Sequence, residues 1–315
     1  MLNQRSIQRP RTIGLLAVAT LVGALAVATA ASANVRSEFD AGSGTFTVRS
    51  NADDGISVGC AGDGDVLLNE DEPGGGPVAC ADVTRLIVKG GPGSNEISLR
   101  GVTADEYTAL TSVEVAGRGG ADFIQGSELR DVIEGGAGND FVAAFLNPTG
   151  TRDVMRGGPG ADTLIWNPGD GSDRMEGETG DDTIEVNGGD VDEQFEVNPA
   201  AKRGRVSFDR VDPAPFNLNI GTAEDLVVNA AGGNDRITGA DGLARRIQSS
   251  LLGEEGDDRI TGTDGRDRLF GGSDSDVIRA RDQVADRVNC GGGLDSARVD
   301  RRDKVRGCED VVGGQ

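Results

Sequence analysis

Residues 117 to 143 divide into three consecutive nines, GRGGADFIQ, GSELRDVIE and GGAGNDFVA. The sixth residue of each is an aspartate (Asp122, Asp131, Asp140) and the eighth is a branched aliphatic (Ile124, Ile133, Val142). A fixed short period constrains a fold more than any single residue does, because each unit has to bury the same face against its neighbours. Each nine separates into a six-residue glycine-rich turn and a three-residue strand. Alternate strand side chains face opposite ways, so the eighth points inward while the seventh and ninth face solvent. Glycine suits a turn whose backbone takes positive φ or passes close to another segment. Carbonyls bared by such a turn, with an aspartate carboxylate, make an all-oxygen site of the kind hard cations occupy.

The same register recurs at 148 to 156, 157 to 165, 168 to 176, 177 to 185, 230 to 238, 253 to 261, 262 to 270 and 271 to 279. Its sixth positions are Asp153, Asp162, Asp173, Asp182, Asp235, Asp258, Asp267 and Asp276. The frames are placed by their aspartates, so the eighth position is an independent check. It holds Met155, Leu164, Met175, Ile184, Ile237, Ile260, Leu269 and Ile278, apolar throughout. The glycines are less faithful: GGAGND (135–140) and GGPGAD (157–162) are complete, whereas GSELRD, PTGTRD and GGSDSD lack the fourth glycine.

These nines resemble the hemolysin-type calcium-binding repeat, the RTX nonapeptide GGxGxDxUx. The resemblance implies an all-β, right-handed parallel β-roll or β-helix in which two nines make one coil and several calcium ions sit between the turns of successive coils. It carries a ligand role onto the eleven sixth-position aspartates from Asp122 to Asp276, and onto the turn glycines Gly135, Gly136, Gly138, Gly157, Gly158 and Gly160. Ligands then come from turns two nines apart, Asp122 facing Asp140 and Asp258 facing Asp276. The four residues inserted after Ala143 and the two after Ile165 have to bulge for the stack to continue. The competing reading is a metal-free solenoid in which aspartate and glycine only build tight turns.

Residues 1 to 33 combine a basic start (Arg5, Arg9, Arg11), an apolar stretch from about Ile13 to Val27 and small residues ending Ala31-Ser32-Ala33, the pattern of a cleavable secretory signal. Its removal before Asn34 takes three arginines and no acids, moving the net charge from −22 to −25. Such a balance repels nucleic acid and anionic membranes and suits a secreted chain that meets dissolved cations. Before calcium binds, glycine-rich and aromatic-poor repeats are expected to be largely disordered, with binding supplying the folding free energy. Four cysteines allow three pairings; proximity in sequence favours Cys60 with Cys80 and Cys290 with Cys308, one staple near each end.

Between these landmarks, 34 to 116 reads as a β cap and first coils, with GGPGSNEIS (90–98) a weakened nine carrying Asn95 at the acidic position. From 186 to 229 the period lapses into a β-hairpin insertion, with the frame expected to return at 220–228, Asp225 and Val227 at its sixth and eighth positions; 117 to 185 and 230 to 279 are the two nonapeptide blocks. The end, 280 to 315, interleaves basic and acidic residues and reads as a disulfide-closed, self-neutralising cap, with an anionic-glycan strip as the alternative. The chain has no histidine, which removes HExxH zinc proteolysis, the Ser-His-Asp triad and the Cys-His pair. Carboxylate chemistry on a polysaccharide stays open in principle, but the carboxylates here recur at a structural period. The expected function is calcium binding by a secreted, non-enzymatic solenoid, with a metal-stiffened adhesive or structural surface protein as the alternative.

Overall fold

The computed structural model describes residues 34–147 and 150–314. The expected signal at 1–33 lies outside the described residues, as do Pro148 and Thr149 of the turn before Asp153.

The chain winds back and forth between two sheets, one of 15 strands and one of 12. Ser112–Gly119 and Asp131–Ala137 lie in the first sheet; Phe123–Gln125 and Phe141–Ala143 lie in the second. One coil is two nines: Phe141 pairs in parallel with Phe123, and Val142 with Ile124. The inserted residues after Ala143 bulge as expected, because Phe141 still meets Thr163 in register. Every apolar eighth residue from Ile124 to Ile278 is at most 1% exposed, and the inward rows of both sheets merge into one continuous core. The outward seventh residues Phe123 and Phe141 remain exposed. This period-two alternation makes a one-residue slip costly, since it would turn a whole buried row to solvent.

At the N-terminal end the strands stop running parallel. Arg36–Asp40 pairs antiparallel with Thr45–Arg49, and Gly55–Cys60 with Val66–Leu68, so both sheets begin on an antiparallel strand. The Cys60–Cys80 disulfide, with Cα atoms 6.2 Å apart, ties this cap together. Arg85–Lys89 and Glu96–Ser98 already stack on the coils that follow, so coiling begins before residue 117.

The insertion is larger than a hairpin. Gln194–Pro199, Arg205–Asp212 and Phe216–Gly221 form a three-stranded antiparallel meander within the first sheet, while the second passes directly from Thr183–Asn187 to Asp225–Asn229. Phe195, Phe208, Phe216 and Trp166 fill the widened core beneath it, with Trp166 and Phe216 stacked at 3.8 Å. After the meander the frame returns one residue earlier than expected: Leu226 and Val228 point inward, so Asp225 and Val227 do not hold the sixth and eighth positions.

The C-terminal segment continues the solenoid. Arg287–Gly292 and Lys304–Arg306 extend the second sheet, and Ser296–Val299 and Asp310–Val312 the first, all in parallel register. Cys290–Cys308 staples these last coils, Cα to Cα 5.2 Å.

Candidate calcium-binding turns

Turns of one kind recur on the coils, and GGAGND at 135–140 shows their construction. Its second and fourth residues take positive φ, 119° at Gly136 and 143° at Gly138, which turns successive carbonyls toward the neighbouring coils. The sixth residue, Asp140, is fully buried. Its Oδ1 accepts the backbone N–H of Asp122 at 2.8 Å, and the Asp140 N–H donates to Asp162 Oδ1 at 2.9 Å. Each aspartate is therefore a rung, bonded to the coil on either side.

The longest runs of rungs form two columns on opposite edges. Each is accompanied on the other edge by a shorter run, Asp131, Asp153 and Asp173 beside the first and Asp267, Asp286 and Asp303 beside the second. Where the chain passes from the first sheet to the second, Asn95, Asp122, Asp140, Asp162, Asp182 and Glu224 are linked in order, every bond between 2.7 and 2.9 Å. Beyond the meander the same arrangement continues where the chain passes from the second sheet back to the first, through Glu193, Asp235, Asp258, Asp276, Asp295 and Glu309. The expected facing of Asp122 with Asp140 and of Asp258 with Asp276 corresponds to one hydrogen bond in each column.

On the aspartates of both columns the second carboxylate oxygen has no partner. Oδ2 of Asp122, Asp140, Asp162, Asp182, Asp235, Asp258, Asp276 and Asp295 is buried without a hydrogen bond. Carbonyls of the next coil converge on the same space: a methyl added at Gly135 would overlap Asp140 Oδ2 and the Gly157 carbonyl oxygen, both at 2.6 Å. A methyl at Gly253 would likewise meet Asp258 Oδ2 and, at 2.6 Å, the Gly271 carbonyl oxygen. Buried oxygens facing one another without a donor are unfavourable unless a cation lies among them. Hard cations take several oxygens from carboxylates and backbone carbonyls together, so these turns fit calcium. Among the described residues no three carboxylates lie close enough to hold an ion by themselves, so carbonyls must supply much of each shell.

The electrostatics agree. Burial, the dominant cause, lifts Asp140, Asp182 and Asp258 to about 6 and Asp235 and Asp276 to about 7, against the N–H bonds that favour the ionised form. Neighbouring carboxylates such as Asp162 beside Asp182 add to the rise.

Three aspartates expected as ligands are satisfied from within the chain, and the fit fails there. Asp131 accepts the N–H and the hydroxyl of Ser127, both at 2.7 Å; Asp267 accepts the N–H and hydroxyl of Thr263 at 2.6 and 2.9 Å. Asp153 accepts Asp131 N–H at 2.8 Å and Asn147 Nδ2 at 3.4 Å. Oδ2, the oxygen that faces carbonyls elsewhere, here accepts a backbone N–H at Asp131 and Asp267, whose Oδ1 takes the hydroxyl, and the Asn147 amide at Asp153. Asp173 keeps an unpartnered Oδ2, but lies in a differently shaped turn beside buried Asp170, and burial with Asp153 nearby pushes it up to about 8.

Asp295 and Asp286, which also has a free Oδ2, were outside the expected set. The signal for both is present: one inserted residue, Ala280, leads into the nines RDQVADRVN (281–289) and CGGGLDSAR (290–298), with aspartate at each sixth position and Val288 and Ala297 buried at the eighth. Alternating charge hid the period.

No curated protein matches the chain. The model of the RTX calcium-binding nonapeptide repeat matches four segments, residues 116–144, 149–165, 168–190 and 250–282. Turns 230–235 and 290–295 fall outside those matches yet share their rungs and free oxygens. These four segments, between residue 116 and residue 282, thus carry the RTX calcium-binding nonapeptide repeat.

Proposed function

We propose that this chain is a secreted, non-catalytic solenoid whose coils fold on calcium bound in two separate columns, one on each edge. The first column uses Asp122, Asp140, Asp162 and Asp182 with the carbonyls of Gly135, Gly136, Gly138, Gly157, Gly158 and Gly160. The second uses Asp235, Asp258, Asp276 and Asp295. Asp131, Asp153 and Asp267 leave the ligand set. The observation that carries the reading is the run of buried, unpartnered Oδ2 atoms, each on a rung that is otherwise complete. Calcium supplies the missing partner and counters a chain whose formal net charge is −22. Because the turns do not persist as preformed cages in an unfolded chain, binding free energy becomes folding free energy. Two disulfides accord with an oxidising compartment, where calcium is in the range of roughly 0.1 to 1 mM that extracellular modules bind.

The test is a calcium titration of the chain from residue 34, disulfides intact, read by far-UV circular dichroism with a magnesium control. A cooperative gain of β signal, absent with magnesium and reversed by chelator, is the expected result. A β spectrum indifferent to calcium and chelator, with no ion in the purified protein, would overturn the proposal.

A further inference from the structure

The alternating charges of the last fifty residues do not neutralise one another in the fold; they part. Acids at the sixth position turn into the edge: Asp286 accepts the N–H of Asp267, and Asp303 that of Asp286, at 2.9 and 3.0 Å. Asp300 accepts backbone N–H groups of Gln283 and Arg302. The basic residues at the seventh position turn outward instead. Arg268, Arg287 and Lys304 stand directly beside one another on three successive strands of the second sheet. With Arg266, Arg302 and Gln248 they line a cleft of about 170 Å³. The two carboxylates in its wall, Asp267 and Asp286, are almost completely buried.

Of the five cations, Arg268 has one ion pair, with Asp225 at 3.8 Å, and Arg302 donates to the Gln283 carbonyl. Among the described residues Arg266, Arg287 and Lys304 form no ion pair. Stacked like charges about 4.8 Å apart repel, so the row is costly unless an anion answers it. A regular row along the solenoid axis suits a polymer with regularly spaced charges, and arginine forks take carboxylate or sulfate oxygens in pairs. Half-buried Phe270 and Asn289 lie on the same outward face, two residues along from Arg268 and Arg287, and give a sugar ring an apolar contact and a hydrogen-bonding partner. The strongly acidic remainder of the chain disfavours duplex nucleic acid, with one charge per about 1.7 Å of its axis.

We propose that the outward face from Arg268 to Lys304 binds a linear acidic polysaccharide laid along the solenoid. This goes beyond the calcium reading, since none of the binding cations belongs to a calcium-type turn. The probe is dextran sulfate, with neutral dextran and single-stranded DNA alongside, titrated into the disulfide-intact chain in calcium while circular dichroism monitors the fold. Arg287→Gln with Lys304→Gln should weaken dextran sulfate binding roughly tenfold and flatten its salt dependence by about two ions. The matched control is Arg236→Gln with Arg259→Gln, a pair stacked in the same way on the first sheet but sharing its cleft with Asp192 and Asp212. It should bind as the unaltered chain does, and neutral dextran should not bind. Equal losses in both double variants, DNA binding as tight as dextran sulfate, or no dextran sulfate binding by the folded chain at low salt would each overturn the proposal.

Discussion

The calcium-type turns and the meander meet the same difficulty, a carboxylate buried where strands stack, and answer it differently. In the turns Asp140 and its counterparts keep one oxygen without a partner. In the meander, Glu193 occupies the equivalent rung, donating its N–H to Asp235, but its carboxylate accepts Gly189 N–H at 2.8 Å and Arg210 at 2.7 Å. Arg210 lies over Phe216 and Trp166, 5.0 and 5.6 Å from their ring centres. Glu176 follows suit: burial alone would raise its carboxyl, but Arg174 and Arg205 hold it below the ordinary value. An internal guanidinium does in the meander what a dissolved ion is proposed to do in the coils. The meander therefore carries its own counter-charges and aromatic core, and it marks the point at which the calcium-type column changes edges.

The largest expected effect comes from breaking that internal answer. Arg210→Ala leaves Glu193 buried and unpaired, and removal of one partner from a buried pair costs about 3–5 kcal/mol. Thermal unfolding in saturating calcium should show the loss, and added calcium should not restore it. Recovery at higher calcium would mean that an ion enters the Glu193 turn as it enters the others, and the contrast would disappear.

Acidity should separate the two regions next. A carboxyl raised in the folded state stabilises the fold fully below its unfolded value, and that contribution is lost as pH rises through the folded value. With Asp140, Asp182 and Asp258 at about 6, Asp235 and Asp276 at about 7 and Asp173 at about 8, the window runs from about 8 downward. In chelator, β signal should grow as pH falls from about 8.5 to about 5, because protonation removes the charge that calcium would otherwise balance. In calcium the opposite slope is expected, since protons compete for the same oxygens. A chelated chain equally folded at both ends of that range would remove the electrostatic account.

A single rung should show the same reversal of sign on a smaller scale. Asp140→Asn removes a buried charge and keeps an oxygen for the Asp122 N–H, so the chelated chain should be no less stable than the unaltered one. The calcium-loaded chain should melt lower and need several-fold more calcium for half its β signal. The same change at Asp267, where Thr263 already occupies the carboxylate, should leave the calcium midpoint unmoved.

Much of this was legible in sequence because two positions in nine carry the coil: an aspartate that bonds across coils and an aliphatic that fills the core. What the period could not disclose is which edge a turn occupies, since the nines on both edges are spelled alike and the sheets differ only once coils stack. Nor could it separate Asp131 from Asp140. That difference rests on Ser127 standing where Gly136 stands, a substitution that looks like ordinary surface variation until the hydroxyl is seen to close on the carboxylate. The meander's one-residue shift escaped because Asp225 and Val227 mimic the pattern, while the residue that holds the rung and accepts the Asp182 N–H is a glutamate, Glu224, where the period has aspartate.

Ser127 offers the finest test of the division between the turns. Its hydroxyl donates to Asp131 Oδ1 and accepts the Leu129 N–H at 3.1 Å, while its own N–H donates to Asp131 Oδ2. Ser127→Ala keeps the N–H and removes the hydroxyl. Asp131, already lifted to about 8 by burial first and by Asp153 second, loses one of the bonds that opposed the rise. The cost should be roughly 1–2 kcal/mol, the usual consequence of leaving a buried polar group short of one partner. Because this turn closes on itself, unfolding in denaturant should report the same loss with the coils loaded at saturating and at half-saturating calcium. A penalty that vanishes at saturating calcium would mean that the turn accepts an ion once its hydroxyl is gone. The distinction between closed and open turns would then be one side chain deep, and Ser127 alone would be what keeps calcium from that rung.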